Sequence, residues 1–178
     1  MSLPHAILTA LMEKPSSGLE LARRFDRSIG YFWSATHQQI YRELGKLERE
    51  GLIRALPAKA PARGRKKEYE VLPAGREELE RWVDVREDPR VGRDPLPVRL
   101  RAAGVVGVRG LVPELRRHRD LHLLRLEEYR AFERRDYPDG PADEQERVQR
   151  LVLLGGIDVE AGWVSWLTRA IEELEGAG

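Results

Sequence analysis

The chain has 178 residues, 41% hydrophobic and 34% charged, with no cysteine. That composition allows a real core in one domain or two small ones and excludes disulfides, thiolate zinc sites and thiol nucleophiles. The longest apolar run, residues 151–154, is far below the ~20 residues of a membrane span, and no charged start with an apolar secretory core opens the chain, so a cytoplasmic protein without a membrane segment is expected. The net charge of +1 hides a division: residues 1–84 carry +3 and residues 85–178 carry −2.

Residues 3–12 space Leu3, Ile7, Leu8 and Leu11 by threes and fours, which predicts a short amphipathic helix with Pro4 in its first turn. The turn Lys14-Pro15-Ser16-Ser17-Gly18 leads to a second helix marked by Leu19, Leu21, Ala22 and Phe25, and another turn follows near Gly30. Residues 36–53 predict the third helix, with Ile40, Leu44 and Leu47 as its core stripe, Gly51 as its stop, and Thr36 with Gln39 in the form of a capping box. Residues 52–56 and 68–72 then read as short strands flanking a run rich in proline and charge, a hairpin tip, before a fourth helix over 76–83. Trp33 and Trp82 are expected in this core. Residues 86–97, with three prolines and a glycine, predict a linker.

The second half predicts a short helix over 98–105, a long one over 111–132, a break at Pro138-Asp139-Gly140-Pro141, and a last helical stretch over 142–175, about 50 Å long if unbroken. That stretch carries two apolar stripes: Val148, Val152, Val159, Trp163, Trp166 and Ala170 on one, Leu153, Ile157, Val164, Leu167, Ile171 and Leu174 on the other. A helix wet on one side needs only one. Gly155-Gly156 costs about 1 kcal/mol per glycine in a helix interior, more readily tolerated where another backbone packs closely. A second copy of the chain is inferred, with Val152, Val159, Trp163, Trp166 and Ile171 as candidate interface residues.

Three helices, two strands and a basic hairpin tip make a mainly α fold with a small β-hairpin wing: a winged helix-turn-helix over 1–85, joined through 86–97 to a helical dimerisation and effector domain over 98–178. Between positions 54 and 67 stand Arg54, Lys59, Arg63, Arg65, Lys66 and Lys67 and no acid, a geometry suited to phosphates or a narrow minor groove. Near the start of the third helix Thr36, His37, Gln38, Gln39, Tyr41 and Arg42, with Lys46 further along, offer donors to phosphate or base edges, and Gln38 or Gln39 suits an adenine. The bland readings are a solvated basic loop, Thr36 and Gln39 serving only as caps, and Tyr41 packed under the wing.

These residues resemble bacterial PadR-type transcriptional regulators. The likeness is carried by QIYRELGKLEREGLI over 39–53, Gly64-Arg65-Lys66-Lys67-Glu68-Tyr69, and Pro73-Ala74-Gly75-Arg76 leading to Leu79 and Trp82. Val98-Arg99-Leu100 and Gly162-Trp163-Val164-Ser165-Trp166-Leu167 resemble the longer-tailed branch whose second domain is similar to virulence-gene activators. Arg42 stands where many members have proline, and Gly45 lies inside the helix. The resemblance implies a homodimer on double-stranded DNA at an inverted-repeat operator, usually a repressor, sometimes tuned by a small-molecule effector.

Trp163 and Trp166 with Tyr129 and Phe132 are candidates for an aromatic pocket, though such spacing more often means core. His118 and His122, four apart, could chelate a metal, but arginines crowd them and no catalytic zincin glutamate is present. No metal, cofactor or catalytic residue is assigned: the acids Glu127, Glu128 and Glu133 alternate with arginine as on a solvated face. The alternatives to a DNA-binding regulator are a winged-helix protein-interaction module and, with less weight, a ligand-sensing or metal-dependent enzyme.

Overall fold

The computed structural model describes residues 3–27, 35–57, 67–89, 94–108 and 110–176. These form two compact units, 1–88 and 89–178. The first contains α1 (Leu3–Glu13), β1 (Ser16–Ser17), α2 (Gly18–Arg27), α3 (His37–Arg49), β2 (Ile53–Ala55), β3 (Glu68–Val71) and α4 (Pro73–Val83). The second contains α5 (Pro95–Val106), α6 (Val112–Asp136) and α7 (Glu144–Gly176). The fold is mostly helical with a small antiparallel sheet, as the sequence pattern predicts.

In the first unit Ile7, Leu8 and Leu11 of α1, Leu21 and Phe25 of α2, and Ile40, Leu44 and Leu47 of α3 close one core with Ile53 and Tyr69. The spacing of three and four that predicts these helices is the spacing that aims one face of each inward. Strand order is β1-β3-β2, with Ile53 opposite Val71, Ala55 opposite Tyr69, and Ser16 opposite Tyr69 on the other edge. The strand at Ser16–Ser17 lies where the sequence reads as a turn: two polar residues carry no alternation, and pairing with β3 alone makes them a strand. Both serines are buried; Ser17 donates from its backbone N–H and its hydroxyl to Glu20 Oε2, each at 2.8 Å.

Helix α3 stops at Gly51, whose φ of 71° is left-handed. Its N–H donates to Glu48 O, and Leu52 N–H donates to Leu47 O, the paired bonds of a Schellman end. Leu52 O then accepts from Leu72 N–H, and a Cβ on Gly75 would stand 2.3 Å from the same oxygen, so only glycine lets α4 enter so close to β2. Helix α4 starts at Pro73, three residues before the predicted 76, because proline suits the first helical position. Trp82 is half-buried, its ring stacked on His5 at 4.4 Å, while His5 Nε2 lies 3.2 Å from Glu78 Oε1. Trp33 lies outside the described residues.

In the second unit Leu96 and Ala103 of α5, Leu111 beside α6, Leu115 of α6, and Leu167 and Ile171 of α7 form the core. Helix α5 begins at Pro95, inside the segment read as linker, because Asp94 Oδ1 accepts from Leu96 N–H at 2.7 Å and caps it. Helix α7 runs unbroken through both interior glycines. Tyr129 Cε2 lies 3.3 Å from where a Gly156 Cβ would be, and nothing lies within 4 Å of the same point on Gly155. The close neighbour is thus an aromatic ring of α6, where the sequence reading expects another backbone. By length and composition alone α7 is long and apolar enough to cross a membrane, a test that the core helix of a globular protein also passes.

Candidate nucleic-acid interface

Thr36 sits at the N-cap of α3 with extended backbone, and its Oγ1 accepts from Gln39 N–H at 3.2 Å. Gln39 Oε1 in turn accepts from Thr36 N–H at 2.8 Å and lies 3.1 Å from Thr36 Oγ1. The capping box is therefore closed, and the Gln39 carbonyl oxygen is turned back to the cap. Thr36, His37, Gln38, Gln39, Tyr41 and Arg42 are all exposed, so the first turns of α3 present hydroxyl, imidazole, amide, phenol and guanidinium groups on one polar surface. Tyr41, 52% exposed, rests its ring on α2: a Cβ on Gly18 would stand 2.4 Å from Tyr41 Cε1. The ring lies on the start of α2, where the alternative sequence reading had it under the wing.

Two cations of the proposed set are already engaged. Lys46 Nζ lies between Glu43 (3.6 Å) and Glu50 (3.9 Å). Lys67 Nζ bonds Glu48 Oε2 at 2.7 Å and sits over the Tyr69 ring; the Glu48 bond is the main reason its ammonium titrates above the usual lysine range. At the hairpin stem Arg54 Nε donates to Glu70 Oε1 at 2.5 Å, across a register pair of β2 and β3. The sequence pattern counts Arg54 and Lys67 as free wing cations because their acids come from outside the run. Arg63, Arg65 and Lys66 lie outside the described residues, as does Lys59.

In the second unit the α7 candidates separate. Val152 and Val159 are exposed, together with Val148 and Leu151, and Trp163 and Trp166 are half-buried, edge to face at 5.4 Å. Ile171 is buried in its own unit's core; its stripe, with Leu153, Ile157 and Leu167, is the one α7 turns inward. A partner cannot reach it without opening that core, and Ile171 leaves the candidate interface. Leu121, Leu123 and Leu124 of α6 are likewise exposed.

Trp163 and Trp166 line a recess of about 320 Å³ with Pro97, Asp158, Val159 and Gly162. Tyr129 and Phe132 are not among its walls: Tyr129 is buried against Gly156, and Phe132 lies under the Arg135 guanidinium. His122 Nδ1 pairs at 2.5 Å with Glu160 Oε2, and its ring stacks on Trp163 at 5.1 Å. Glu160 is the one buried charged side chain among the described residues, and it went unnoticed in the sequence, where it is one more acid in a charged helix. Its carboxylate and, more strongly, burial raise the Tyr129 phenol above its ordinary range. His118 lies 3.3 Å from Glu114, whose carboxyl is held down at about 2, chiefly by Arg117.

Comparison with known proteins assigns both units. The family described as transcriptional regulator PadR-like matches residues 7–81, and the virulence activator alpha C-terminal family matches residues 92–175. A probable transcriptional regulator of Mycobacterium tuberculosis is 43% identical over 186 residues, 98% of each chain. The virulence activator AphA of Vibrio cholerae matches 99% of this chain and 100% of its own, with a TM-score of 0.82 at 31% identity. Bacillus subtilis PadR, solved in complex with operator DNA, shares the fold over 97% of this chain and 99% of its own, with a TM-score of 0.85 at 24% identity.

Proposed function

The chain belongs to the PadR-like family of transcriptional regulators, and from that premise we propose that it is a repressor which binds an inverted-repeat operator in double-stranded DNA as a homodimer. The observation that carries this reading is the polar start of α3. Its capping box is closed, Thr36, His37, Gln38, Gln39, Tyr41 and Arg42 are exposed around the buried Ile40 with no acid before Glu43, and the β2–β3 stem lies beside its far end, where Lys67 meets Glu48. Oriented N–H groups and donors of this kind suit phosphate and base edges. In this reading Thr36, His37, Gln38, Tyr41 and Arg42 face the groove, with Gln38 the better candidate for base reading because the Gln39 oxygen is held at the cap. Arg63, Arg65 and Lys66 reach phosphates from the wing.

The homodimer is supported by the apolar stripe that α7 leaves outside its own core, Val148, Leu151, Val152 and Val159. A symmetric pair through this stripe sets the spacing of two half-sites. The protein acts by binding, without catalysis, in the cytoplasm. The recess beside Trp163 and Trp166 has the size of a small-molecule site and is where an effector would act on α7. Selection of bound DNA from a random pool tests the reading: an enriched palindrome is expected, with a reporter under that palindrome silenced by the protein. Failure of any sequence to enrich would overturn DNA recognition, and a reporter that rises would overturn repression alone.

A further inference from the structure

We propose that Glu48 and Lys67 form a strut that fixes the wing to the recognition helix, so that Lys67 is a positioning residue and not a phosphate ligand; this rests on the DNA-binding reading above. Lys67 immediately precedes β3, at the end of the acid-free cationic run. Composition alone gives it the same role as Arg63, Arg65 and Lys66. Its surroundings differ. The ammonium is 2.7 Å from Glu48 Oε2 on the last turn of α3 and 5.1 Å from the centre of the Tyr69 ring. Tyr69 is itself fixed in the core, paired with Ser16 on one edge and Ala55 on the other. The Glu48 bond therefore ties the residue that leads into the returning wing strand to α3, while the Tyr69 ring holds the same ammonium against β3.

The placement of Glu48 supports the same assignment. An acid near a helix C-terminus works against the macrodipole, and on a surface that meets DNA it repels phosphate. Pairing with Lys67 compensates for both. Arg54 and Glu70 do the equivalent within the hairpin, at 2.5 Å across β2 and β3. Both cations of the stem among the described residues, Arg54 and Lys67, thus have a carboxylate of their own.

The sign of one substitution separates the two roles. Removing a carboxylate from a DNA-facing surface should tighten binding if Glu48 is only a nearby negative charge; removing half of a strut should loosen it. Operator affinity would be measured against salt for the full chain and for Glu48→Gln, Lys67→Met and the exchange Glu48→Lys/Lys67→Glu, with thermal melts confirming that each variant folds. Amide exchange of Leu56, whose N–H donates to Glu68 O at the end of the hairpin, would be followed in the same variants without DNA. The strut predicts that each single variant binds about threefold more weakly, the scale of an exposed ion pair, with an unchanged salt slope. It also predicts faster Leu56 exchange in both and recovery of affinity and exchange in the double exchange. Tighter binding by Glu48→Gln, or a slope reduced by roughly 0.9 in Lys67→Met, would overturn it, as would Leu56 exchange indifferent to both substitutions. If the unaltered chain bound no DNA, the regulatory reading would fall, and Leu56 exchange would still decide the strut.

Discussion

Helices α3 and α7 are both amphipathic, and they leave opposite kinds of surface uncovered. Helix α3 buries Ile40, Leu44 and Leu47 and exposes polar and cationic groups. Helix α7 buries Leu153, Ile157, Leu167 and Ile171 and exposes Val148, Leu151, Val152 and Val159. A polar remainder needs no cover and is available to a polyanion, whereas an apolar remainder on a long helix marks a contact with something equally apolar. In the proposed reading the two helices divide the work: α3 recognises, α7 pairs, and the pairing would decide how two recognisers are spaced.

The largest effect should come from breaking the pairing end. Val152→Asp/Val159→Asp places two charges on the exposed stripe without touching the α7 core, so the unit should fold while the dimer separates in sedimentation equilibrium. Loss of bivalency should then weaken operator binding by about 10²-fold or more. A double variant that stays dimeric would move the interface elsewhere, and a monomer that keeps full affinity would show that operator binding does not need two copies. Ile171→Asp is the contrast: it should unfold the second unit instead of merely dividing a dimer, because Ile171 lies within that unit's core.

The next effect concerns what joins α6 to α7 inside one copy. Glu160 is buried and paired with His122, so His122→Ala leaves a carboxylate without that partner and should cost the second unit about 1–3 kcal/mol, read as a lower melting transition followed through Trp163 and Trp166. Glu160→Gln, which removes the charge with its partner still present, should cost less. Equal losses would show that packing, not the buried charge, carries the contact. The first unit's transition should stay where it was in both.

Much of this was legible in the sequence, for a physical reason. Periodicity reports which face of an element is apolar, and in the first unit each helix has one such face, so Ile7, Phe25, Ile40 and Leu44 could be placed inside without coordinates. In α7 both faces are apolar, and spacing cannot say which one its own chain covers; Ile171 was assigned to the partner for that reason. Partnership across elements is equally silent. Lys67 reads as a free cation because Glu48 lies 19 residues away, Glu160 as solvated because His122 lies 38 residues away, and Ser16–Ser17 as a turn because its strand partner comes only at position 68.

The smallest effect tests the recognising end by its cap. Thr36→Ala removes the hydroxyl that accepts from Gln39 N–H and frees the Gln39 side chain from half of its closed box, at a cost of about 1 kcal/mol to the first unit. Because α3's core stripe begins only at Ile40, the loosened turn is the one that carries His37, Gln38 and Gln39, and the buried part of the helix should hold. Operator affinity should therefore fall while the second unit's melting and the dimer mass are unchanged. Thr36→Ser, which keeps the accepting hydroxyl, should restore both stability and binding; if serine restores stability but not affinity, the Thr36 methyl group itself touches DNA, and the residue belongs to the contact surface as well as to the cap.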